Sequence, residues 1–119
     1  MVRGVVPLLL VAACAEPEVP REQQILGAVP DRGRELAAAY GCGVCHIVPG
    51  VPGARGSVGP SLEAFGERNL IGGVAPNRPD RLVSWLENPP TVSPNTGMPA
   101  MGLTTAEARD VAAYLYTLR

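Results

Sequence analysis

The pentapeptide Cys42-Gly43-Val44-Cys45-His46 constrains the fold of this 119-residue chain more than any other stretch. Two cysteines separated by two residues and followed at once by a histidine form an attachment motif for c-type haem. The two thiols add to the two vinyl groups on one edge of a porphyrin, and the short loop between them brings the next side chain under the iron. We therefore expect Cys42 and Cys45 to bind one haem c covalently and His46 to be an axial ligand of its iron.

Three other interpretations of the two cysteines are weaker. A thiol–disulfide centre needs a βαβ context, and no such pattern surrounds Cys42 and Cys45. A structural zinc site takes four ligands, whereas this chain has one histidine and its third cysteine, Cys14, lies far away in the sequence. Chance placement of two buried cysteines does not account for the histidine that follows them directly.

The composition agrees with a small domain built around a cofactor. Aromatic residues make up only 4% of the chain, a thin supply for a core of this size. A buried porphyrin would act as a large apolar core element. The 14 glycines and 13 prolines suit loops wrapped around such a group. The formal net charge is −1 and no lysine-rich run is present, so nothing indicates a nucleic-acid partner.

The N-terminal residues predict export. Arg3 precedes an apolar stretch over residues 5–13, which is too short for a membrane span of about 20 residues. A charged start followed by a short apolar run is typical of a signal peptide, which we expect over residues 1–13.

The end of that apolar stretch predicts a lipid anchor. Residues 11–14 read Val-Ala-Ala-Cys, which resembles a bacterial lipobox, so we expect Cys14 to become the lipidated N-terminus. The alternative is ordinary cleavage after the A-x-A sequence of residues 13–15, which would discard Cys14. The lipid would hold the protein in the periplasm or on the outer face of the cytoplasmic membrane, where c-type haem is attached.

Residues 14–30 are then expected to form a Cys-anchored flexible tether. The segment is rich in glutamate and proline and lacks helical periodicity. A flexible chain of this length has an end-to-end distance of about 20–25 Å. Such a tether would let the domain that follows it swing between membrane partners.

The domain over residues 31–119 carries helical signals and no sustained strand alternation, so we predict an all-α fold. The clearest signal is a capping box from Thr104 to Glu107, followed by apolar residues at helical spacing. Asp31 is expected to cap the first helix, and the prolines after Glu87 end the second. The three main helices are predicted over residues 32–40, over residues 80–87 and from Thr104 onward, with a short helix near residues 62–65.

The second axial position of the iron falls to a methionine or stays open, because His46 is the only histidine. Met98 and Met101 are the candidates, since Met1 leaves with the signal peptide. A thioether stabilises ferrous iron and raises the reduction potential. We expect Met98 to be the ligand, because Pro99 restrains its loop. The alternatives are Met101 as the ligand and a role for either methionine as core filler.

Over residues 31–119 the chain resembles a class I cytochrome c. The resemblance rests on the haem motif, on Gly59-Pro60-Ser61-Leu62, on Met98-Pro99 and on Ala113-Tyr114-Leu115 in the last helix. It implies the small cytochrome c fold, with long loops wrapped around one covalent haem. It also implies that the carbonyl of Pro60 accepts a hydrogen bond from His46, and that Leu62 packs on the haem.

The run from Asn77 to Pro99 is similar to the cytochrome c domain fused to subunit II of some bacterial haem–copper oxidases. The similarity includes the helix that carries Trp85. It suggests that Trp85 approaches a haem propionate, with Arg55 or Arg68 as candidate partners of that group. The alternatives are a core tryptophan and solvated arginines.

These features together predict an electron carrier and not an enzyme. The protein would be a membrane-tethered cytochrome that moves one electron between a respiratory donor complex and a terminal oxidase, with no small-molecule substrate. One alternative is an electron-entry subunit bound permanently to a dehydrogenase or oxidase. Another is a haem sensor or peroxidase whose sixth ligand is labile.

Overall fold

The computed structural model describes residues 1–10, 12–15 and 17–119. Val11 and Glu16, which belong to the predicted lipobox and tether, lie outside the described residues. The described chain is mostly helical with long loops, which confirms the predicted fold class. Its helices are α1 (Pro30–Ala39), α2 (Pro79–Glu87), α3 (Pro89–Val92) and α4 (Thr105–Thr117).

Short elements complete the fold. Single turns of 3-10 helix lie at Arg21–Gln23, Cys42–Val44 and Phe65–Glu67. Strand β1 (Leu70–Ile71) pairs antiparallel with β2 (Ala75–Pro76). The sequence analysis does not predict this hairpin, because two-residue strands are too short to show alternation.

The first helix starts two residues earlier than predicted, at Pro30. Proline suits the first helical position, since its missing N–H would be unpaired there and its φ is already helical. The N-cap is Val29 and no side chain caps the helix, so the prediction of Asp31 as N-cap is wrong. Asp31 lies in the first turn instead, where a carboxylate interacts favourably with the helix dipole.

The capping box that begins α4 is present as predicted. Thr104 Oγ1 accepts a hydrogen bond from the Glu107 N–H at 3.2 Å, and Glu107 Oε2 accepts one from the Thr104 N–H at 2.9 Å. The Tyr40 hydroxyl also donates to Glu107 Oε2 at 2.7 Å and so ties the end of α1 to the start of α4. These bonds to Thr104 and Tyr40 hold the pKa of Glu107 below its usual value.

We therefore expect the domain to lose stability as the pH falls below about 4.5, the ordinary pKa of this carboxyl. The unfolded chain binds the proton more tightly, so the stabilisation by Glu107 is complete above that pH and disappears as the pH falls through the lowered pKa. Thermal melts of wild type and Glu107→Gln across this range measure the effect. The variant should lose this part of the acid sensitivity, and Glu63→Gln should keep it. An unchanged acid dependence in Glu107→Gln would contradict the assignment.

Helices α1 and α4 cross at Gly33. A Cβ added there would overlap the carbonyl oxygen of Asp110 and lie 2.9 Å from the nitrogen of Val111. Only glycine lets the two backbones meet this closely. Tyr114 lies one turn further along α4, and its hydroxyl donates a hydrogen bond to the carbonyl of Pro49.

Residues 19–29, which we call the strap, pack against the domain. Val19 and Ile25 contact the hydrophobic core, and Gln23 Nε2 donates to the Gly66 carbonyl at 2.9 Å. The structure thus differs from the prediction of a tether that is flexible as far as residue 30. Among the described helices, none combines the length and the hydropathy that a bilayer-spanning segment requires.

Candidate haem-binding site

A cavity of about 400 Å³ lies between α2, α4 and the loops that follow α1 and α3. It brings together seven of the residues that the sequence predicts to lie at the haem. These residues are Cys42, Cys45, His46, Pro60, Leu62, Trp85 and Met98. Cys14, the predicted lipidation site, is exposed and lies outside the cavity.

The two cysteines enter the cavity through a tight turn after α1. Gly41 has a φ of 71°, a left-handed conformation that ends the helix and that glycine adopts without strain. The 3-10 turn Cys42–Val44 follows, and the His46 N–H donates to the Cys42 carbonyl at 3.0 Å. Both cysteines are half-buried, and neither forms a disulfide. Before haem is attached, burial raises the pKa of the Cys42 thiol above its ordinary value.

The imidazole of His46 is fixed in one tautomer. Its Nδ1 lies 2.6 Å from the carbonyl oxygen of Pro60. Because a carbonyl oxygen only accepts hydrogen bonds, Nδ1 carries the hydrogen and Nε2 keeps its lone pair. An imidazole held in this way presents Nε2 to a metal in a fixed orientation.

The glycine-rich loop that follows the haem motif is hydrogen-bonded to the backbone of the motif. The Gly56 N–H lies 3.0 Å from the Gly43 carbonyl and 3.1 Å from the His46 carbonyl. A Cβ at Gly56 would overlap the backbone of Val44. The sequence analysis does not identify Gly56, because a single glycine in a loop is a weak signal unless the facing backbone is known.

Gly59 lies against the imidazole ring of His46. Its N–H donates to the Cys45 carbonyl at 2.7 Å, and a Cβ at this position would overlap the His46 ring, with Nδ1 at 2.7 Å. A methyl group here must displace either the imidazole or the Pro60 carbonyl that orients it.

Gly59→Ala should therefore lower the yield of haem-loaded protein by about tenfold or more, the range found when the support of a metal-ligating histidine is lost. The ratio of haem absorbance to protein, measured after expression with the haem-maturation machinery, gives this yield. Ser57→Ala, a change at an exposed neighbour, should behave as wild type. A normal yield and an unchanged spectrum for Gly59→Ala would contradict the proposed support of His46.

Met98 lines the cavity on the loop between α3 and α4. Its backbone N–H donates to Thr96 Oγ1 at 3.2 Å, a contact that the sequence analysis does not foresee. Met101 does not line the cavity and remains 40% exposed. Of the two methionines, the structure thus brings only Met98 into the same cavity as His46.

The walls of the cavity are largely apolar. Trp85 is buried and its ring packs under Gly72, where a Cβ would lie 2.5 Å from the nearest ring atom. Phe65, which the sequence analysis does not single out, is also buried and lines the wall. The wall is completed by side chains of α1, α2 and α4 together with Val48 and Ile71, namely Ala37, Val48, Ile71, Leu82, Leu86, Val111 and Leu115.

Arg68 supplies a positive charge at the cavity wall. Its guanidinium donates to the Ser61 carbonyl and lies 5.6 Å from the centre of the Phe65 ring. Arg55 is exposed and does not line the cavity. Of the two candidate arginines, the structure thus brings only Arg68 to the cavity.

This donor set suits a covalent haem. Two thiols, one imidazole nitrogen and one thioether sulfur share a single cavity with apolar walls, and soft sulfur with imidazole suits iron in a porphyrin. Zinc finds no comparable site, since no group of three or more His, Cys, Asp or Glu side chains in the described part of the chain could hold a metal ion.

The family model for cytochrome c matches residues 30–119. The chain belongs to the cytochrome c family. Members of this family carry covalent haem c, and Cys42 and Cys45 of this cytochrome fit the attachment motif. The predicted cofactor and the predicted family are thereby confirmed.

A curated relative extends this comparison. Cytochrome c oxidase subunit 2 of Alkalihalophilus pseudofirmus is 30% identical over 106 residues, which cover 88% of this chain and 29% of that protein. The cytochrome thus spans less than a third of the length of the relative it matches. The match agrees with the similarity to oxidase subunits that residues 77–99 indicate.

Proposed function

We propose that this cytochrome is an electron carrier whose haem iron is ligated by Nε2 of His46 and the sulfur of Met98. The bound haem supplies a one-electron Fe(III)/Fe(II) couple. The observation that supports the proposal most is that both side chains line one cavity while the Pro60 carbonyl leaves Nε2 free. With both axial positions filled by the protein, no position on the metal is left for a substrate.

The apolar walls would stabilise the less charged ferrous state. Trp85, Leu82 and Leu86 exclude water from one side of the cavity, and a dry, low-dielectric setting disfavours the extra positive charge of ferric iron. The thioether of Met98 acts in the same direction. The chain is therefore expected to hold a comparatively high reduction potential, as a carrier that feeds a terminal oxidase requires.

The membrane tether is part of the proposal. A signal peptide over residues 1–13, a lipid on Cys14 and an exported domain would together place the haem outside the cytoplasmic membrane. Cys14 is exposed and is the one cysteine away from the haem cavity, so its thiol is available for acylation.

The partners are proposed to be a respiratory donor complex and a terminal oxidase. The name of the relative, cytochrome c oxidase subunit 2, supports the oxidase as acceptor. The same name supports a second candidate function, in which the cytochrome stays bound to an oxidase or dehydrogenase as its electron-entry subunit. Solubilisation in mild detergent separates the two, because a mobile carrier leaves the complex and an entry subunit co-purifies with it.

Carbon monoxide tests the ligation. It binds ferrous haem only at an open axial position, so the reduced wild-type protein should show no change in its absorption spectrum on the timescale of mixing. Rapid formation of a carbonyl complex would contradict the electron-carrier proposal and favour the alternative of a sensor or peroxidase with a labile sixth ligand.

A further inference from the structure

The strap, residues 19–29, is fixed to the domain at both of its ends. Near its start, Gln23 donates to the Gly66 carbonyl at 2.9 Å and accepts a hydrogen bond from the guanidinium of Arg119. At its end, the Val29 N–H donates to Asp110 Oδ1 at 2.8 Å. The strap is thus a docked part of the domain.

Two further contacts hold the middle of the strap. Ile25 packs against the hydrophobic core, while its neighbour Leu26 is 86% exposed. The Leu26 carbonyl accepts a hydrogen bond from Arg109 at 2.6 Å. Apolar burial of Ile25 and hydrogen bonds at Gln23, Leu26 and Val29 thus hold the strap along its length.

The strap reaches α4 on the side away from the haem cavity. Val111 lines the cavity, and Arg109 lies two residues before it, which is a rotation of about 200° around a helix. The contacts of the strap with Arg109 thus lie across α4 from the cavity wall. At this point a helix about 10 Å across separates the strap from the haem.

Because the strap is docked, the chain that links Cys14 to the domain is shorter than the predicted tether of residues 14–30. Among the described residues, Val19 is the first that packs against the core. Four residues of sequence separate Cys14 from Val19, and a fully stretched chain between these two residues spans at most about 18 Å. A linker that continued to Asp31 would span about 60 Å.

We propose that the strap keeps the lipid-anchored cytochrome close to the membrane and suits it to redox partners whose electron-exchange site lies near the lipid surface. The inference rests on the proposed lipid on Cys14. A short linker confines the haem to a thin layer above that surface, and the depth of the layer grows with about the square root of linker length. Lengthening the linker from four to fifteen residues should dilute the haem at the surface about twofold.

Photoreduction on vesicles measures this effect. The full-length protein, carrying haem and lipid, is reconstituted in phosphatidylcholine vesicles that contain a lipid with a ruthenium polypyridyl headgroup. The excited Ru(II) complex gives one electron to Fe(III), and a sacrificial amine in the buffer returns one electron to the Ru(III) formed. Insertion of eleven Gly/Ser residues between Glu18 and Val19 should slow haem reduction about twofold.

Matched substitutions separate the strap from the inserted length. Ile25→Ser removes a core contact and should slow photoreduction towards the rate of the insertion variant, whereas Leu26→Ser at the exposed neighbour should keep the wild-type rate. Gln23→Ala, which loses the bonds to Gly66 and Arg119, provides a milder change and should be slower than Glu22→Ala at its exposed neighbour.

Different results would overturn the short linker and the lipid anchor. An insertion variant as fast as wild type, or no difference within the two matched pairs, would overturn the short linker. Failure of the wild-type protein to sediment with vesicles would overturn the lipid anchor and the inference that rests on it. Reduction by a soluble ruthenium complex reports the one-electron chemistry of the haem separately, so a failed anchor is distinguishable from a failed electron carrier.

Discussion

Replacing Met98 by alanine should lower the reduction potential of the haem by tenths of a volt, a large step within the range of about 0.8 V that axial ligands span. The thioether sulfur stabilises ferrous iron, and its loss leaves water or no ligand in its place. The half-buried position of Met98 in the cavity wall is what makes this residue the ligand in our account. A spectroelectrochemical redox titration of the two proteins measures the change.

Met101→Ala is the matched control, because Met101 is three residues away, does not line the cavity and is 40% exposed. Its potential should equal that of wild type. The reduced Met98→Ala protein should in addition bind carbon monoxide rapidly, since its sixth position is open. An unchanged potential in Met98→Ala together with a fall in Met101→Ala would show that the other methionine is the ligand.

Gly33→Ala should destabilise the domain by about 2–3 kcal/mol. The added Cβ overlaps the backbone of Asp110, and no side-chain rotation relieves a clash with backbone, so α1 and α4 must move apart. The intrinsic gain of alanine over glycine in a helix is only about 1 kcal/mol and does not offset the loss of packing. For a domain of this size, the melting temperature should fall by about 10–20 °C.

Thermal unfolding of the haem-loaded protein, followed by circular dichroism, checks this prediction. Ala38→Val is the control on the same helix, because Ala38 is exposed and its substitution costs a few tenths of a kcal/mol in helix propensity. Equal melting temperatures for Gly33→Ala and wild type would contradict the close crossing of α1 and α4 at this residue.

Local chemistry made much of the site predictable from the sequence. The haem motif carries its own spacing rule, so Cys42, Cys45 and His46 are identifiable without a structure. The capping box at Thr104 is likewise complete within four residues, and the structure contains both of its hydrogen bonds. Motifs of this kind are predicted correctly from the sequence because the residues that interact are close together in it.

Long-range contacts explain the features that the sequence did not reveal. Residues 14–30 predict a flexible tether because they are rich in glutamate and proline and lack helical periodicity. The strap within them is nevertheless bound to Gly66 and Asp110, 43 and 81 residues away from their partners. The early start of α1 has the same origin, since the Val29 N–H is paired by Asp110 and not by a nearby cap. Helix propensities describe local preferences and carry no information about partners so far away in the sequence.

Close backbone approaches form a second class that the sequence conceals. The resemblance points to Gly59 as part of a motif, but the overlap of its Cβ position with the His46 ring follows only from the folded loop. The role of Gly56 behind the haem motif, and the position of Arg68 rather than Arg55 at the cavity, emerge in the same way.

The near-infrared absorption spectrum of the oxidised wild-type protein tests the central claim most directly. Ligation of ferric haem by both His46 and Met98 predicts a methionine-to-iron charge-transfer band that is present in wild type and absent in Met98→Ala. A wild-type spectrum without that band, recorded on protein with one covalent haem per chain, would contradict the assignment of His46 and Met98 as the axial pair.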